Sequence, residues 1–337
     1  MYIVTFKPDR ESAEIAKNAS SHLKENRIKH LLINGMELSE HKKELNESNA
    51  SLMMPVGDDK FILKTFRMLG KLQMPVLAIA SGQSFLAQAN ALNFKHYIGL
   101  IRKNKHSIFK RSRLVAKFDK TTTPIALNDI GLFPCKSASL LKYTLILNNE
   151  TFWKDSSDGL IIATPTGSTG YSLSAGGPII LDEPNIMTLA SISSLEKHSP
   201  IVVSDSAKIK IMDIEGNNPI IIVDGDIRIP VKAKEVTIEK SPFCANFVIF
   251  SKEYSLESRL KKRTINVNID KLKNMPASSK LVYKILVHEG SMTQKEIISA
   301  SLLPERTVRY ALDMLLKNNL IAKQPHFIDA RQAVYGV

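Results

Sequence analysis

The chain has 337 residues, 44% of them apolar, and a formal net charge of +13. This length and composition predict a globular protein of two or three domains with real hydrophobic cores. No apolar run reaches the roughly 18 residues that a membrane span needs, and the N-terminus lacks the pattern of a signal peptide. Cys135 and Cys244 are too few for a disulfide framework or a thiolate metal site. Composition therefore excludes membrane-spanning and disulfide-stapled classes and predicts a cytoplasmic protein.

The positive charge is concentrated in two segments. Residues 102–120 hold eight basic residues and one acidic residue, and residues 259–263 read RLKKR. Both segments could bind nucleic acid or an anionic ligand, or they could form a solvated basic surface. Charge alone does not choose between these alternatives.

The first 115 residues alternate short apolar runs with amphipathic stretches. This alternation predicts an α/β, Rossmann-like domain with a parallel sheet. In such a domain ligands bind at the carboxyl ends of the strands. The predicted elements, in order, are a strand at 2–6, a helix at 11–26, a strand at 31–33, a helix at 37–45, a strand at 51–56, a turn at Gly57, a helix at 61–72, a strand at 75–80 and a turn at Gly82.

From about residue 114 to residue 250 the pattern changes to short strands separated by turn signals. It predicts a mostly-β second domain. The predicted strands are 125–128, 142–147, 160–163, 201–204, 208–212, 220–223, 236–238 and 247–250.

The chain becomes helical from about residue 269. The predicted features are a helix at 279–288 with an apolar face at Leu281, Val282, Ile285 and Leu286, a capping box at 293–296, a third helix opened by Pro304 with a buried stripe at Val308, Ala311, Leu312 and Leu315, and a hairpin-like end at 321–337. Three small helices followed by a β wing are typical of a winged helix-turn-helix. We therefore predict three domains, at residues 1–115, 116–263 and 264–337.

Residues 164–178, which read TPTGSTGYSLSAGGP, follow the predicted buried strand at 160–163. The stretch is rich in glycine and hydroxyl side chains and leads into a short helix predicted at 171–175. Loops of this kind let a ligand approach the backbone closely and suit a polar, phosphate-bearing ligand.

This stretch, with Asp158 and Gly159 before it, resembles the nucleotide-binding loop of the NAD kinase (ATP-NAD kinase) family, whose pattern is TPTGSTAYSLSAGGP. The core departs only by Gly170 in place of alanine. Residues 126–129 (ALND) resemble the family's ALNE, and residues 224–226 (DGD) resemble its DGQ. The resemblance spans about residues 1–255 and implies the family's Rossmann-like domain and β-rich NAD-binding domain. The C-terminal winged helix is an addition to that plan.

The resemblance implies roles for particular residues. In the family the pair matching Asn128 and Asp129 holds the adenine and ribose of NAD, and the carboxylate matching Asp58 takes the proton from the adenosine 2′-hydroxyl. The resemblance also implies ATP or another phosphoryl donor, Mg²⁺ or another divalent cation, and a homo-oligomer. The predicted NAD-binding residues are Asp58, Asp59, Asn128, Asp129, Asp158, Thr169, Gly170, Tyr171, Ser172, Leu173, Ser174 and Asp226.

The match weakens at the catalytic turn. The family has GGDG, whereas residues 56–59 read Val-Gly-Asp-Asp. Asp58 remains in place as a general base, but valine fits poorly where φ must be positive. The Asp59 carboxylate also adds a charge that repels a phosphate ~4 Å away by about 4 kcal/mol at an effective dielectric constant near 20. A Mg²⁺ ion on Asp59, or Lys60 beside it, could offset that repulsion, and the sequence leaves these alternatives open.

A second donor-side segment has also changed. Residues 78–86 lack the asparagine of the family's GxNxGxLGFL-like loop, so that only Gly82, Phe85 and Leu86 match. We assign Gly57, Lys60 and Gly82 to the phosphate-donor loop. No residue is assigned as a metal ligand.

The predicted function is an NAD kinase that makes NADP. The alternative is a catalytically weakened, NAD(P)-sensing DNA-binding regulator, which the altered turn and the C-terminal domain favour. Residues from 264 onward carry a net charge of only +4, and such a domain could serve dimerisation or packing instead of DNA binding. The candidate DNA contacts are Arg306, Thr307, Arg309 and Tyr310 on the third helix and Lys323 and Arg331 in the wing.

Overall fold

The computed structural model describes residues 1–41, 50–136, 139–181, 184–250, 272, 275–289, 292–318, 320–325 and 333–336. The chain divides into two compact units, Met1–Leu256 and Glu257–Val337. Among the described residues, no helix is both long enough and apolar enough to cross a membrane.

The first unit begins with a parallel sheet of five strands in the order β2-β1-β3-β4-β5. Strand β1 pairs with β2 on one side and with the central strand β3 on the other. All six residues of β3 are buried, as is usual for a strand covered on both faces. The elements are β1 (Tyr2–Phe6), α1 (Arg10–Glu25), β2 (His30–Asn34), a 3₁₀ turn (Glu37–Ser39), β3 (Leu52–Gly57), α2 (Asp59–Leu69), β4 (Ile79–Ala80), β5 (Ala89–Asn90) and α3 (Phe94–Arg102).

Three predicted elements of this α/β part differ from the structure in type or in bounds. The helix predicted at 37–45 is a single 3₁₀ turn at Glu37–Ser39, and residues 42–49 lie outside the described residues. The strand predicted at 75–80 pairs in a ladder only over Ile79–Ala80, with two isolated bridges at Val76. The helix predicted at 61–72 starts at Asp59 and ends at Leu69, because Asp58 caps it and Gly70 follows in a positive-φ conformation.

The rest of the first unit is mostly β structure. Two six-stranded sheets, β11-β10-β15-β18-β7-β8 and β14-β13-β12-β9-β16-β17, both contribute side chains to one apolar core. The strands are β6 (Ser107–Arg111), β7 (Leu114–Phe118), β8 (Thr121–Thr122), β9 (Asp129–Phe133), β10 (Leu141–Leu147), β11 (Glu150–Ser157), β12 (Gly159–Ala163), β13 (Ile186–Ile192), β14 (Ile201–Ser204), β15 (Ile209–Glu215), β16 (Ile220–Val223), β17 (Ile227–Pro230), β18 (Glu235–Lys240) and β19 (Ala245–Ile249). A 3₁₀ turn (Thr166–Thr169) and the short helix α4 (Tyr171–Ser174) follow β12.

The strand predicted at 125–128 is wrong. Ala126 makes one isolated bridge with Leu114, and the strand begins only at Asp129. The backbone N–H groups of Leu127 and Asn128 donate to a side chain, that of Asp224, instead of to a neighbouring strand. The segment is therefore extended but outside the ladder. Strands β6, β7, β8, β9, β11, β13 and β17 are also absent from the predicted list.

The last strand of the first unit returns to the first sheet. Val76 bridges Met53 on one side and Phe247 of β19 on the other, and β19 pairs antiparallel with β6. The Phe247 side chain is buried and belongs to the core beneath the parallel sheet. The α/β part and the mostly-β part of this unit are thus connected by strand β19 as well as by the chain that runs from one to the other.

The basic segment at 102–120 does not form one surface. Arg111 and Arg113 are buried. Arg113 donates to the carbonyl oxygens of Phe66 (2.8 Å), Gly70 (2.8 Å) and Ile125 (2.9 Å), so it closes the C-terminal end of α2. Burial lowers the pKa of Arg113 to about 10. The second basic cluster, at 259–263, lies outside the described residues.

In the residues that the structure describes, the second unit contains three helices and a small sheet of order β20-β22-β21. The Thr293–Glu296 capping box is present in full, and the four predicted stripe residues of the third helix are buried. The prediction for Leu281 is wrong, since this side chain is 40% exposed while Val282 and Tyr283 are buried. The elements are α5 (Ala277–Glu289), β20 (Met292–Thr293), α6 (Gln294–Ser301), α7 (Glu305–Lys317), β21 (Ala322–Pro325) and β22 (Ala333–Gly336).

The candidate DNA-contact residues lie on the surface of this unit where they are described. Arg306 and Arg309 are exposed near the start of α7, Tyr310 is exposed beside them, and Thr307 is half-buried. Lys323 is exposed on β21. Arg331 lies outside the described residues.

Candidate functional site

The turn after β12 is held tightly against residues 127–128. The Thr164 backbone N–H donates to the Asn128 carbonyl oxygen at 2.8 Å, and the Thr164 hydroxyl donates to the Leu127 carbonyl oxygen at 2.7 Å. Gly167 lies so close that a Cβ there would stand 2.0 Å from the Asn128 carbonyl oxygen. Only glycine allows this approach of two backbones. The contact fixes Asn128 beside the loop.

Much of the hydroxyl content of this loop serves the loop itself. The Ser168 hydroxyl donates to the Pro165 carbonyl oxygen (2.7 Å) and accepts from the Ile180 N–H (3.0 Å). Ser172, predicted to bind NAD, is fully buried, with its hydroxyl 3.3 Å from that of Thr188. Thr169 and Gly170 are half-buried, while Tyr171, Leu173 and Ser174 are exposed. The outer residues of the loop are thus the ones that can meet a ligand.

A cleft of about 610 Å³ opens beside this loop. Three of the predicted NAD-binding residues, Asp129, Asp158 and Tyr171, line it together. The Tyr171 ring is stacked on Phe133 with centroids 5.8 Å apart. The stacked pair gives one wall of the cleft a flat aromatic surface, which suits a planar base.

Two polar groups beside the 164–178 loop lack ordinary solvation. Within the described residues, Asn128 Oδ1 is buried and has no hydrogen-bond partner. Asp129 is 7% exposed, and its burial, together with the nearby charge of Asp224, raises its pKa to about 7. A buried acceptor without a partner is uncommon in a native fold. A ligand that donates a hydrogen bond would satisfy it.

Asp224 organises the inner end of the site. Its Oδ1 accepts from the N–H groups of Leu127 (3.0 Å) and Asn128 (2.8 Å), and its Oδ2 lies 3.0 Å from Arg67 Nη1. Arg67 also pairs with Asp226, one of the predicted NAD-binding residues. Asp224 and Gly225 both have positive φ and form the turn between β16 and β17, a conformation that this hairpin turn requires.

The donor side begins at the end of β3. Asp58 caps α2, with its Oδ1 accepting from the Phe61 N–H at 2.9 Å. Its Oδ2 lies 3.0 Å from Lys7 Nζ, and this hydrogen bond is the main reason that the pKa of Lys7 is raised. Val56 lies in β3, and neither Val56 nor Asp59 has a positive φ. The expected misfit of valine at this turn is therefore wrong.

The Asp59 carboxylate is held by the next loop. It accepts from the N–H groups of Phe85 (2.9 Å) and Leu86 (3.1 Å) and from the Ser84 hydroxyl. Lys60 is exposed. The charge of Asp59 is thus offset by loop donors, an alternative that the sequence did not suggest. Gly82 has open space around it.

Sequence reasoning missed three residues of this region. Arg67 lies within an amphipathic helix, where nothing in the pattern separates it from a surface arginine. Lys7 follows a strand like many loop lysines. Asp224 belongs to a recognised turn motif, but its hydrogen bonds reach residues almost 100 positions away. The Asp-Gly pair at residues 224–225 was a sequence signal for Asp224. No sequence pattern marked Arg67 or Lys7.

The close approach at Gly167 generates a prediction. Gly167→Ala should lower the free energy of unfolding by about 3 kcal/mol, because the new Cβ forces the backbone at Asn128 apart. Gly170→Ala is the matched control: its Cβ would lie 3.2 Å from the Gly167 carbonyl oxygen, so we expect a change below about 1 kcal/mol. Thermal or urea unfolding measures both variants. Equal stabilities for the two variants would contradict the close contact between Gly167 and the Asn128 backbone.

The raised pKa of Asp129 generates a second prediction. The folded protein keeps the Asp129 proton up to a pH near 7, whereas an unfolded aspartate releases it near pH ~3.9. Since the folded state binds more protons across this window, the contribution of Asp129 to the free energy of unfolding falls as the pH rises from about 4 to about 7.

Asp129→Asn should remove this contribution. We expect the stability difference, wild type minus variant, to be largest near pH ~4 and to shrink toward pH ~7, the window set by the two pKa values. Urea unfolding across this range measures it. Asp213→Asn, at an exposed position on β15, is the control. Parallel pH curves for wild type and Asp129→Asn would exclude the assignment.

The chain is similar in sequence to known proteins of one family. Residues 127–250 match the ATP-NAD kinase C-terminal domain. An NAD kinase of Clostridium botulinum (strain Loch Maree / Type A3) is 34% identical over 221 residues, covering 62% of this chain and 78% of the relative. An NAD kinase of Methanothermobacter thermautotrophicus is 28% identical over 241 residues, covering 70% of this chain and 84% of the relative.

Solved structures show the same arrangement of an α/β part and a mostly-β part. An NAD kinase from Archaeoglobus fulgidus in complex with ATP superposes with a TM-score of 0.65 at 25% identity, covering 78% of this chain and 98% of that one. Yeast NADH kinase complexed with NADH gives a TM-score of 0.65 at 23% identity, covering 75% of this chain and 84% of the other, a likeness of fold. The clamped loop, the cleft and these relatives together lead to one conclusion: the chain belongs to the NAD kinase family.

Proposed function

We propose that the chain is an NAD kinase that transfers a phosphoryl group from ATP or another donor to the adenosine 2′-hydroxyl of NAD, forming NADP. The observation that carries this proposal is the cleft lined by Asp129, Asp158 and Tyr171, next to which Asn128 Oδ1 is buried without a hydrogen-bond partner. These residues match the family's NAD-binding positions. The relatives described above are named NAD kinases, which supports a kinase over a regulator without turnover.

Asp58 is suited to act as the general base. Its Oδ1 is held by the N-terminus of α2, so that the carboxylate keeps one orientation while Oδ2 faces Lys7 and solvent. In the reaction the 2′-oxygen forms a bond to the transferred phosphorus, and its proton passes to Asp58 Oδ2. The bond from phosphorus to the donor's bridging oxygen breaks, and the leaving group takes that electron pair. Positioning and charge neutralisation supply most of the catalysis in phosphoryl transfer.

The altered turn is compatible with this chemistry. Val56 lies in a strand, so its Cβ causes no backbone strain. The Asp59 carboxylate accepts hydrogen bonds from three groups, the Ser84 hydroxyl and the N–H groups of Phe85 and Leu86. These hydrogen bonds reduce its repulsion of a phosphate. We propose that Gly57 and Gly82 leave room for the donor, as the family pattern implies.

We propose that Mg²⁺ enters with the donor's phosphates. In the described part of the chain, no group of three or more His, Cys, Asp or Glu side chains could hold a metal ion. We propose that the phosphate chain of the donor carries the ion. ATP as donor is supported by the Archaeoglobus fulgidus NAD kinase, whose structure contains ATP.

The role of Asp58 is tested by Asp58→Asn. Asparagine still caps a helix, so the fold should persist while the base is lost, and we expect NADP formation to fall by about 10²- to 10⁴-fold. The measurement is NADP formed from NAD, ATP and Mg²⁺ by the purified full chain, and Asp213→Asn is the control. Full activity in Asp58→Asn would overturn the assignment of the base. No NADP from the wild type with any donor or divalent metal would overturn the kinase proposal itself.

We further propose that the second unit is a winged helix-turn-helix that contacts DNA, in an enzyme that remains a kinase. Its three helices, the capped helix α6 and the sheet formed by β20, β22 and β21 support this proposal. Arg306 and Arg309 are exposed near the N-terminal end of α7, the region that contacts bases in this class of domain. The charge of the segment is modest, so we expect weak, salt-dependent binding.

DNA binding is tested with a labelled mixed-sequence duplex and the full chain at low salt. The double variant Arg306→Ala/Arg309→Ala should weaken binding severalfold, because phosphate and base contacts are lost. Lys295→Ala, at an exposed position on α6, is the control, and fluorescence anisotropy is the measurement. Absence of binding at ~50 mM salt, where electrostatic binding is strong, would leave dimerisation or packing as the role of the unit. A homo-oligomer and a cytoplasmic location also remain proposals from the family resemblance.

A further inference from the structure

Lys7 lies at the edge of the parallel sheet where ligands bind in this architecture. It follows the last residue of β1, and its backbone N–H donates to the Val56 carbonyl oxygen at 2.9 Å. Its Cβ lies against Gly57, since a Cβ on that glycine would stand 3.1 Å from it. The backbone of Lys7 is therefore fixed to the turn that carries Asp58.

The Lys7 ammonium group touches two carboxylates. Nζ lies 3.0 Å from Asp58 Oδ2 and 3.5 Å from Asp9 Oδ2. The Lys7 side chain is 42% exposed, and the carboxylates are 40% and 36% exposed. Exposed ion pairs of this kind are weak and exchange partners readily. Lys7 is thus anchored at its backbone and free to reorient at its tip.

The two oxygens of Asp58 have different partners. Oδ1 is engaged by the Phe61 N–H, so Oδ2 is the oxygen that can accept the substrate's proton. Oδ2 is also the oxygen that Lys7 contacts. When Oδ2 takes the proton, the Asp58 carboxyl becomes neutral and its attraction for Lys7 falls. At the same moment negative charge develops on the transferred phosphoryl group and on the leaving oxygen.

Lys60 is exposed in the first turn of α2, and two other charged groups near this edge already have partners. The Asp59 carboxylate accepts from the Ser84–Leu86 turn. Lys64, on α2, donates to the Gly35 carbonyl oxygen at 3.2 Å. Lys7 is the cation whose contacts are with Asp58 itself, which places it where the proton leaves and the phosphate arrives.

We propose, resting on the kinase function above, that Lys7 is the donor-side cation. It holds Asp58 Oδ2 in the nucleotide-free protein and binds the phosphate chain of the phosphoryl donor during transfer. Lys7 contributes charge and no proton, so the bonds formed and broken are those given above. The shared chemistry is a phosphoanhydride chain, which both ATP and inorganic polyphosphate supply.

The test compares Lys7→Met, Lys7→Arg and wild type as full chains. Methionine keeps the length of the stem and removes the charge, whereas arginine keeps the charge. Lys210→Met is the matched control, because Lys210 forms an exposed pair with Glu235 in the second part of the unit. Steady-state kinetics are measured with ATP and, separately, with inorganic polyphosphate, and NAD binding without donor is measured by calorimetry.

We expect Lys7→Met to raise the donor KM about tenfold or more, as the loss of a charge-assisted hydrogen bond implies. The Kd for NAD should change less than twofold, and Lys7→Arg should restore most of the donor KM. The effect should appear with whichever donor the wild type uses. A merely structural role would instead change NAD binding and donor KM together.

Three results overturn the proposal. One is an unchanged donor KM in Lys7→Met, and another is equal loss in Lys7→Arg and Lys7→Met. The third is loss of NAD binding in both variants, which would make Lys7 a folding residue. An inactive wild type rejects the kinase function first and is therefore distinguished from all three.

Discussion

The buried pair between Asp224 and Arg67 is the interaction on which the site depends. The Asp224 side chain is fully buried, that of Arg67 is 6% exposed, and the two lie 3.0 Å apart. The other oxygen of Asp224 accepts from the N–H groups of Leu127 and Asn128. One carboxylate therefore connects helix α2, which starts at the proposed base, with the segment that starts β9. Removing Arg67 would leave the buried Asp224 carboxylate without its cation, and breaking a buried pair in this way typically costs about 3–5 kcal/mol. The pair does more to fix relative position than to add net stability, because both charges lose their water.

The same carboxylate explains the unusual state of Asp129. The buried Asp129 meets both a low dielectric and the nearby negative charge of Asp224. Its raised pKa means that a substantial share of Asp129 is protonated near neutral pH. A protonated carboxyl can donate a hydrogen bond, while the neighbouring Asn128 Oδ1 can only accept one. Residues 128 and 129 thus offer an acceptor and a donor side by side, a combination suited to polar edges of a nucleotide. Keeping Asp129 protonated near neutral pH lowers the free energy of unfolding, and it provides that hydrogen-bond donor.

Much of the fold follows from local pattern, and the rest depends on contacts between distant residues. The helix at the start of the chain and the buried stripe of α7 were predictable, because apolar periodicity decides both. The start of β9 at Asp129 was not, since the amide groups before it are satisfied by a side chain 96 and 97 positions away. The site shows the same division. The loop at 164–178 could be recognised from its residues, but nothing in them separates Gly167, which permits a backbone contact, from Gly170, which tolerates a methyl group.

The two changes in the donor-side sequence, at Asp59 and at residues 78–86, involve residues that contact each other in the structure. In sequence, Asp59 in place of glycine and the altered loop at 78–86 are separate departures from the family pattern. In the structure the Asp59 carboxylate accepts from Ser84, Phe85 and Leu86, so the two departures meet.

A carboxylate held by backbone N–H groups at the start of a helix is stabilised by those donors and by the helix dipole. Its charge is directed into the protein and away from the open side of the turn. The repulsion expected from the sequence is therefore much reduced, and the donor side loses a glycine without losing its capacity for an anion. Lys7, fixed by its backbone to the same turn, supplies the positive charge that an anionic donor needs at that edge.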